Sequence, residues 1–151
     1  MSKLDEQLRH LETILSEKRE GYVAEAENCL AEISKDNTPD SISGLLRMFD
    51  ESAPDELMFS IVHAIERWDD QTYCRALLDS VERLWIASPR WAQILHIRVM
   101  NSQNTAHVYF GMVESAPNAT RETVRSIFEA ISSGWPKLSE KVKPILVRLQ
   151  G

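Results

Sequence analysis

The sequence predicts an all-α fold, on three observations. Apolar residues recur at spacings of three and four along nearly the whole chain, the repeat that makes one face of a helix greasy. Thr38-Pro39 and Ser88-Pro89 pair a capping hydroxyl with a proline suited to a first helical turn. Only 5 glycines occur, with no Asn-Gly or Asp-Gly hairpin signal and no strand-like alternation.

Taken in order, Ser2 with Asp5 makes a capping-box start. Leu4, Leu8, Leu11 and Leu15 then share a face. The stripe lapses over Ser16–Gly21 and resumes with Tyr22, Ala26, Cys29 and Ile33. One long helix and a hairpin both fit residues 3–34, and the polar run ending in Gly21 favours a break. Thr38-Pro39 opens a short helix with Ile42, Leu45, Leu46 and Phe49 inward. Pro54 opens the next, carrying Leu57, Met58, Ile61, Val62, Ile65 and Trp68 up to Asp69-Asp70. Tyr73, Leu77, Leu78, Val81, Leu84 and Trp85 mark another. Ser88-Pro89 starts a helix with Trp91, Ile94, Leu95, Ile97 and Arg98, ending near Asn101-Ser102. Val108, Tyr109, Met112 and Val113 make a short helix before Pro117. Val124, Ile127, Phe128 and Ile131 make one that stops at Gly134. The last begins at Trp135-Pro136 with Leu138, Val142, Ile145, Leu146 and Leu149, and Pro144 is expected to kink or split it. Eight or nine helices with short links read as one domain over 1–151. The expected architecture is a HEAT/armadillo-like antiparallel array, with a compact irregular bundle as the alternative.

Composition bounds the function. The 43% hydrophobic and 26% charged residues are globular proportions. No apolar run approaches the roughly 20 residues that span a bilayer, and the N-terminus lacks an apolar signal segment, so no membrane role and a cytoplasmic location are expected. Cys29 and Cys74 fit reduced core thiols. Charge is lopsided: residues 1–70 hold 7 Lys plus Arg against 17 Asp plus Glu, a net of −10, whereas residues 71–151 hold 10 against 6, a net of +4.

The carboxylates cluster at Asp50, Glu51, Asp55 and Glu56 around Pro54, and at Glu66, Asp69 and Asp70 at the other end of the same helix. Asp55 and Glu56 suit a helix first turn, and Asp69 and Asp70 can cap the next helix. A binding reading makes all seven steering groups for a basic protein, since such a field repels nucleic acid. Trp68, Trp85, Trp91 and Trp135 lie near predicted helix ends, where core packing is the usual role and partial exposure makes a binding anchor. Trp68, with Tyr73 one turn on, is the favoured anchor.

Chemistry is hard to find. His10, His63, His96 and His107 fall on four different helices, none in an H-x-x-x-H pair, and the cysteines lack CxxC spacing, so no metal site or cofactor is expected. No nucleophile elbow, P-loop or dinucleotide fingerprint occurs. His63 with Glu66 or Arg67 is a commonplace helical pairing. No catalytic residue is assigned, and the chain is read as a binding protein, not an enzyme.

The stretch Leu57–Asn101 combines His63-Ala64-Ile65-Glu66, a leucine-rich helix, Ser88-Pro89-Arg90-Trp91-Ala92 and Arg98-Val99-Met100-Asn101-Ser102. It resembles the all-α immunity proteins of bacterial polymorphic-toxin and contact-dependent growth-inhibition systems, in particular the immunity protein thirty family. The resemblance implies a protein that binds a cognate toxin in the producer's cytoplasm and neutralises it; a monomer is expected. Many such toxins are nucleases with basic substrate surfaces. In that stretch Arg98 and Asn101 are read as tying a loop. Two rivals are a helical adaptor for a basic protein, and a nucleic-acid repair enzyme. The latter needs a basic groove, to which Arg121, Arg125, Lys137, Lys141 and Lys143 contribute only part.

Overall fold

Leu4, Leu11, Ile14 and Leu15 do share one buried face, and the same logic runs through the chain. The computed structural model describes residues 2–36 and 38–150 and is all-α: nine α-helices, one short 3-10 turn and no strand among the described residues. The chain divides into two compact units, Met1–Asp69 and Asp70–Gly151.

In the first unit, α1 (Lys3–Glu17) starts on the full capping box: Ser2 Oγ accepts from the Asp5 amide, and the Asp5 carboxylate accepts from the Ser2 amide. The break near Gly21 is real. Lys18 takes the left-handed conformation (φ 50°), Gly21 does so again (φ 78°), and α2 (Tyr22–Ile33) turns back along α1. Gly21 permits this because it has no Cβ to strain at positive φ. The short α3 (Asp40–Leu46) and α4 (Asp55–Glu66) complete the unit, with α2 and α3 packed on α4 and α3 on α1. At the α1–α3 crossing Gly44 makes room for Leu8, whose methyl groups would collide with any Cβ there. The core is Leu11, Leu30, Ile33, Ile42, Leu57, Met58, Ile61 and Ile65, all almost fully buried. Each such side chain contributes roughly 2–3 kcal/mol over an exposed one.

The Thr38-Pro39 reading needs correcting. Helix α3 begins at Asp40, with Pro39 in the capping position and no side-chain cap. The Thr38 hydroxyl instead donates to Asp36 Oδ1 at 2.5 Å, and the Thr38 amide donates to the same oxygen at 2.7 Å. An aspartate turn competes for the hydroxyl and wins.

In the second unit, α5 (Asp70–Ala87) packs on α6 (Pro89–Met100), α7 (Gln103–Glu114) and α8 (Asn118–Gly134), and α8 packs on α9 (Ser139–Leu149). Pro89 occupies the first helical position of α6, as expected, but Ser88 at the N-cap, with ψ at 69°, makes no side-chain capping hydrogen bond. The split at the C-terminal end falls before α9, at a 3-10 turn over Pro136–Leu138, and α9 runs continuously through Pro144. Trp91, Tyr109 and Phe128 are fully buried, and Phe110 lies beside them. Within this group His96 is also fully buried. Its Nδ1–H donates to the Ala92 carbonyl at 2.7 Å, so Nε2 is left to accept from the Tyr109 hydroxyl at 2.6 Å. The Tyr109 and Phe128 rings meet it edge-on at 5.3 and 5.6 Å. Burial drives the His96 pKa down to about 4, although the Ala92 bond works the other way.

Candidate functional site: an acidic surface on the first unit

The change of charge sign along the sequence coincides with the boundary between the units. Unit Met1–Asp69 holds 7 Lys plus Arg against 16 Asp plus Glu, and unit Asp70–Gly151 holds 10 against 7. A net of −9 is therefore a property of one compact body, and not an average over the chain.

The run Asp50-Glu51-Ser52-Ala53-Pro54-Asp55-Glu56 has no cation of its own. It forms the turn from α3 into α4. Asp50 is half-buried; its Oδ1 accepts from the Ser52 amide (2.8 Å) and hydroxyl (2.7 Å), and its Oδ2 lies 3.5 Å from Lys18 Nζ. Burial alone would raise the Asp50 pKa, but the Ser52 hydrogen bonds and the Lys18 charge outweigh it and hold the carboxyl below its usual range. Lys18 also donates to the Ser52 hydroxyl, so the α1–α2 turn fastens this loop. Glu51, Asp55 and Glu56 are exposed, and the last two sit in the first turn of α4, where the helix dipole favours them.

One turn along α4, the Ser60 hydroxyl donates to Glu27 Oε1 of α2 at 2.7 Å and lies 3.3 Å from the Glu56 carbonyl. This draws Glu27 to the same seam as Glu56. At the far end of α4, Glu66 and Trp68 are half-buried and Asp69 is exposed. Arg67 stacks its guanidinium 4.8 Å from the Trp68 ring centroid, while its Nη2 donates to the Asp36 carbonyl at 2.7 Å. The Thr38 hydrogen bonds, with a smaller contribution from the Arg67 charge, lower the Asp36 pKa.

The two remaining candidates belong to the second unit and serve it internally. Asp70, half-buried, accepts from Thr105 Oγ1 at 2.6 Å, which fixes the start of α5 to the start of α7. Tyr73 is buried, 4% exposed, in the core of that unit. The predicted group thus sorts into an exposed set (Glu51, Asp55, Glu56, Asp69), a half-buried set (Asp50, Glu66, Trp68, Asp70) and a core residue, Tyr73. Sequence reading misses Glu27, Ser60, Lys18 and the Arg67–Asp36 tie. Their partners lie 31 to 34 residues away, and no local spacing announces such a pairing.

Among the described residues no group of three or more His, Cys, Asp or Glu is placed to hold a metal ion. Nor, among the described residues, is any helix long and apolar enough to cross a membrane. The arrangement can attract and orient a cationic surface. A family model described as Immunity protein 30 matches residues 11–109, from the middle of α1 into α7. No curated protein and no solved structure matches the chain.

Proposed function

The chain belongs to the immunity protein 30 family, and from that premise we propose that it neutralises a cognate toxin domain by binding it through the acidic face of the first unit. The observation that carries this reading is the net −9 confined to Met1–Asp69, with exposed carboxylates at the α3–α4 turn and the first turn of α4 (Glu51, Asp55, Glu56) and just past the end of α4 (Asp69). Such a field speeds encounter with a basic surface and repels nucleic acid. A nuclease is therefore the toxin class that fits best: the groove that holds its phosphate backbone is the groove this surface would cover. Glu51, Asp55, Glu56 and Asp69 are exposed whereas Asp50 and Asp70 are half-buried, so steering falls chiefly to the exposed four, with Glu66 and Trp68 at the edge. Inhibition is by occupation, without chemistry by this chain, in the cytoplasm and as a monomer. A stacked-pair helical array belongs to the same reading; it is supported by α5 packing on α7 and α6 on α8.

The test is direct. The protein is mixed with the toxin domain encoded beside it, and association is followed at low and high salt. Reversing Glu51, Asp55 and Glu56 to lysine is expected to slow association on the order of tenfold or more at low salt, with the difference shrinking at high salt. Identical rates and identical salt dependence would remove the acidic turn from the interface.

A further inference from the structure

Most of the cations in the first unit are engaged within it. Lys18 lies 3.5 Å from Asp50, Arg19 3.0 Å from Glu17 and Lys35 2.9 Å from Glu32, while Arg67 donates to the Asp36 carbonyl. Among the described residues Arg9 and Arg47 form no ion pair and no side-chain hydrogen bond, although the unit around them carries 16 carboxylates. Arg9 stands four residues after Asp5 and three before Glu12 on one stripe of α1, and pairs with neither.

These two exposed guanidiniums line one groove. Asp5, Arg9 and Glu12 belong to its α1 side and Arg47 to its α3 side, around a space of about 360 Å³. Leu8 and Met48 add an apolar lining. Leu8 is only half-buried, whereas Leu4, Leu11 and Leu15 of the same stripe are buried. The α3 side leads into the acidic turn, since Met48 stands two residues before Asp50.

Charge says what fits. Along α1 the signs run minus, plus, minus at Asp5, Arg9 and Glu12, with a second plus at Arg47 across the groove. A uniformly basic surface is repelled at the two arginines. A segment with a carboxylate set between cations meets both signs, and the planar fork of a guanidinium matches a carboxylate closely.

We infer that this groove sets specificity for the toxin: it takes an acidic side chain flanked by basic ones on the toxin domain, the acid toward Arg9 and Arg47, with Leu8 and Met48 covered by the same segment. The inference rests on the toxin-binding reading and deepens it. The acidic turn attracts any cationic surface, and the groove selects the cognate one.

The experiment uses a double reversal, Arg9→Glu with Arg47→Glu, and a double neutralisation, Arg9→Gln with Arg47→Gln, each checked for unaltered urea unfolding. Binding is measured to the adjacent-gene toxin domain and, separately, to oligolysine. The added negative charge is expected to tighten oligolysine binding severalfold, as attraction by net charge alone demands. With the toxin domain the sign turns over: the double reversal is expected to bind about tenfold or more weaker than wild type, mainly through faster dissociation, and the double neutralisation to fall between. If the double reversal unfolds more easily, the double neutralisation decides by the same comparison. Toxin affinity equal to or above wild type overturns the groove and leaves the toxin-binding reading standing. A wild type that binds no toxin overturns both. A wild-type dimer that the double reversal dissociates assigns the groove to self-association and also overturns the proposal.

Discussion

Acidification offers a sharp test of the second unit's interior. His96 is neutral when folded because burial holds its pKa near 4, against an ordinary value of 6.5. Its pKa is depressed, so the unfolded chain binds the proton more readily. Stability is full above pH 6.5 and falls as the pH drops toward 4. Between pH 7 and pH 5 the unfolded imidazole becomes almost wholly protonated while the folded one stays neutral. That difference costs about 2 kcal/mol, with a limiting slope near 1.4 kcal/mol per pH unit. Carboxylates held below their usual range, such as Asp36 and Asp50, destabilise the fold only on further acidification, so the window from 6.5 to 5 isolates the histidine. Urea unfolding at pH 7.0, 6.0 and 5.0 measures it, with His96→Gln as the comparison. The substitution is expected to lower stability at pH 7, because it breaks the bonds to Ala92 and Tyr109, and to flatten the pH dependence. His10, His63 and His107 are exposed and remain in both proteins, so their contribution cancels. Equal losses in the two proteins between pH 7 and pH 5 would refute the account of His96.

Other outcomes follow from the same structure. Gly21→Ala is expected to cost about 1 kcal/mol, because the site is open but its φ of 78° strains a side chain; an urea midpoint equal to wild type would contradict this. Phe128→Ala empties a fully buried site beside His96 and Phe110, and a loss of about 3–5 kcal/mol is expected in equilibrium unfolding. Burial pushes the Cys74 thiol up to about 12 and raises Cys29 as well, so both stay protonated at pH 8. A thiol-specific reagent should label them slowly in the native protein and promptly in denaturant; rapid native labelling of Cys74 would contradict its burial.

The helices were legible because each rests on local information. The stripe of Leu4, Leu11 and Leu15, the lapse to Gly21, Pro89 at a first turn and the stop at Gly134 can all be read within a few residues. The misreadings came where one local claim competed with another. Thr38 has a capping hydroxyl, but Asp36 two residues earlier takes it. Pro144 is expected to interrupt the last helix, yet the interruption falls at Trp135-Pro136, about two turns earlier. Of the site, the excess of carboxylate was visible in a simple count, as was the place where it ends. What no count reveals is which carboxylates are occupied at home: Asp50 by Lys18, 32 positions away, and Asp70 by Thr105. Those pairings depend on how helices cross, and a single sequence does not encode crossings in any local pattern. Tyr73 illustrates the same gap. Its neighbour Asp70 suggests a rim, but its place on the inward stripe with Leu77 and Val81 carries it into the core.

The crowding of like charge in Met1–Asp69 has an energetic side. Carboxylates on one small body repel each other, so the unbound protein carries a cost that a cationic partner would remove. Dissolved salt should therefore act in opposite senses on the two states. Raising it shields the repulsion and makes the solitary protein harder to melt, while it strips away the attraction that draws the partner in and makes the complex easier to pull apart.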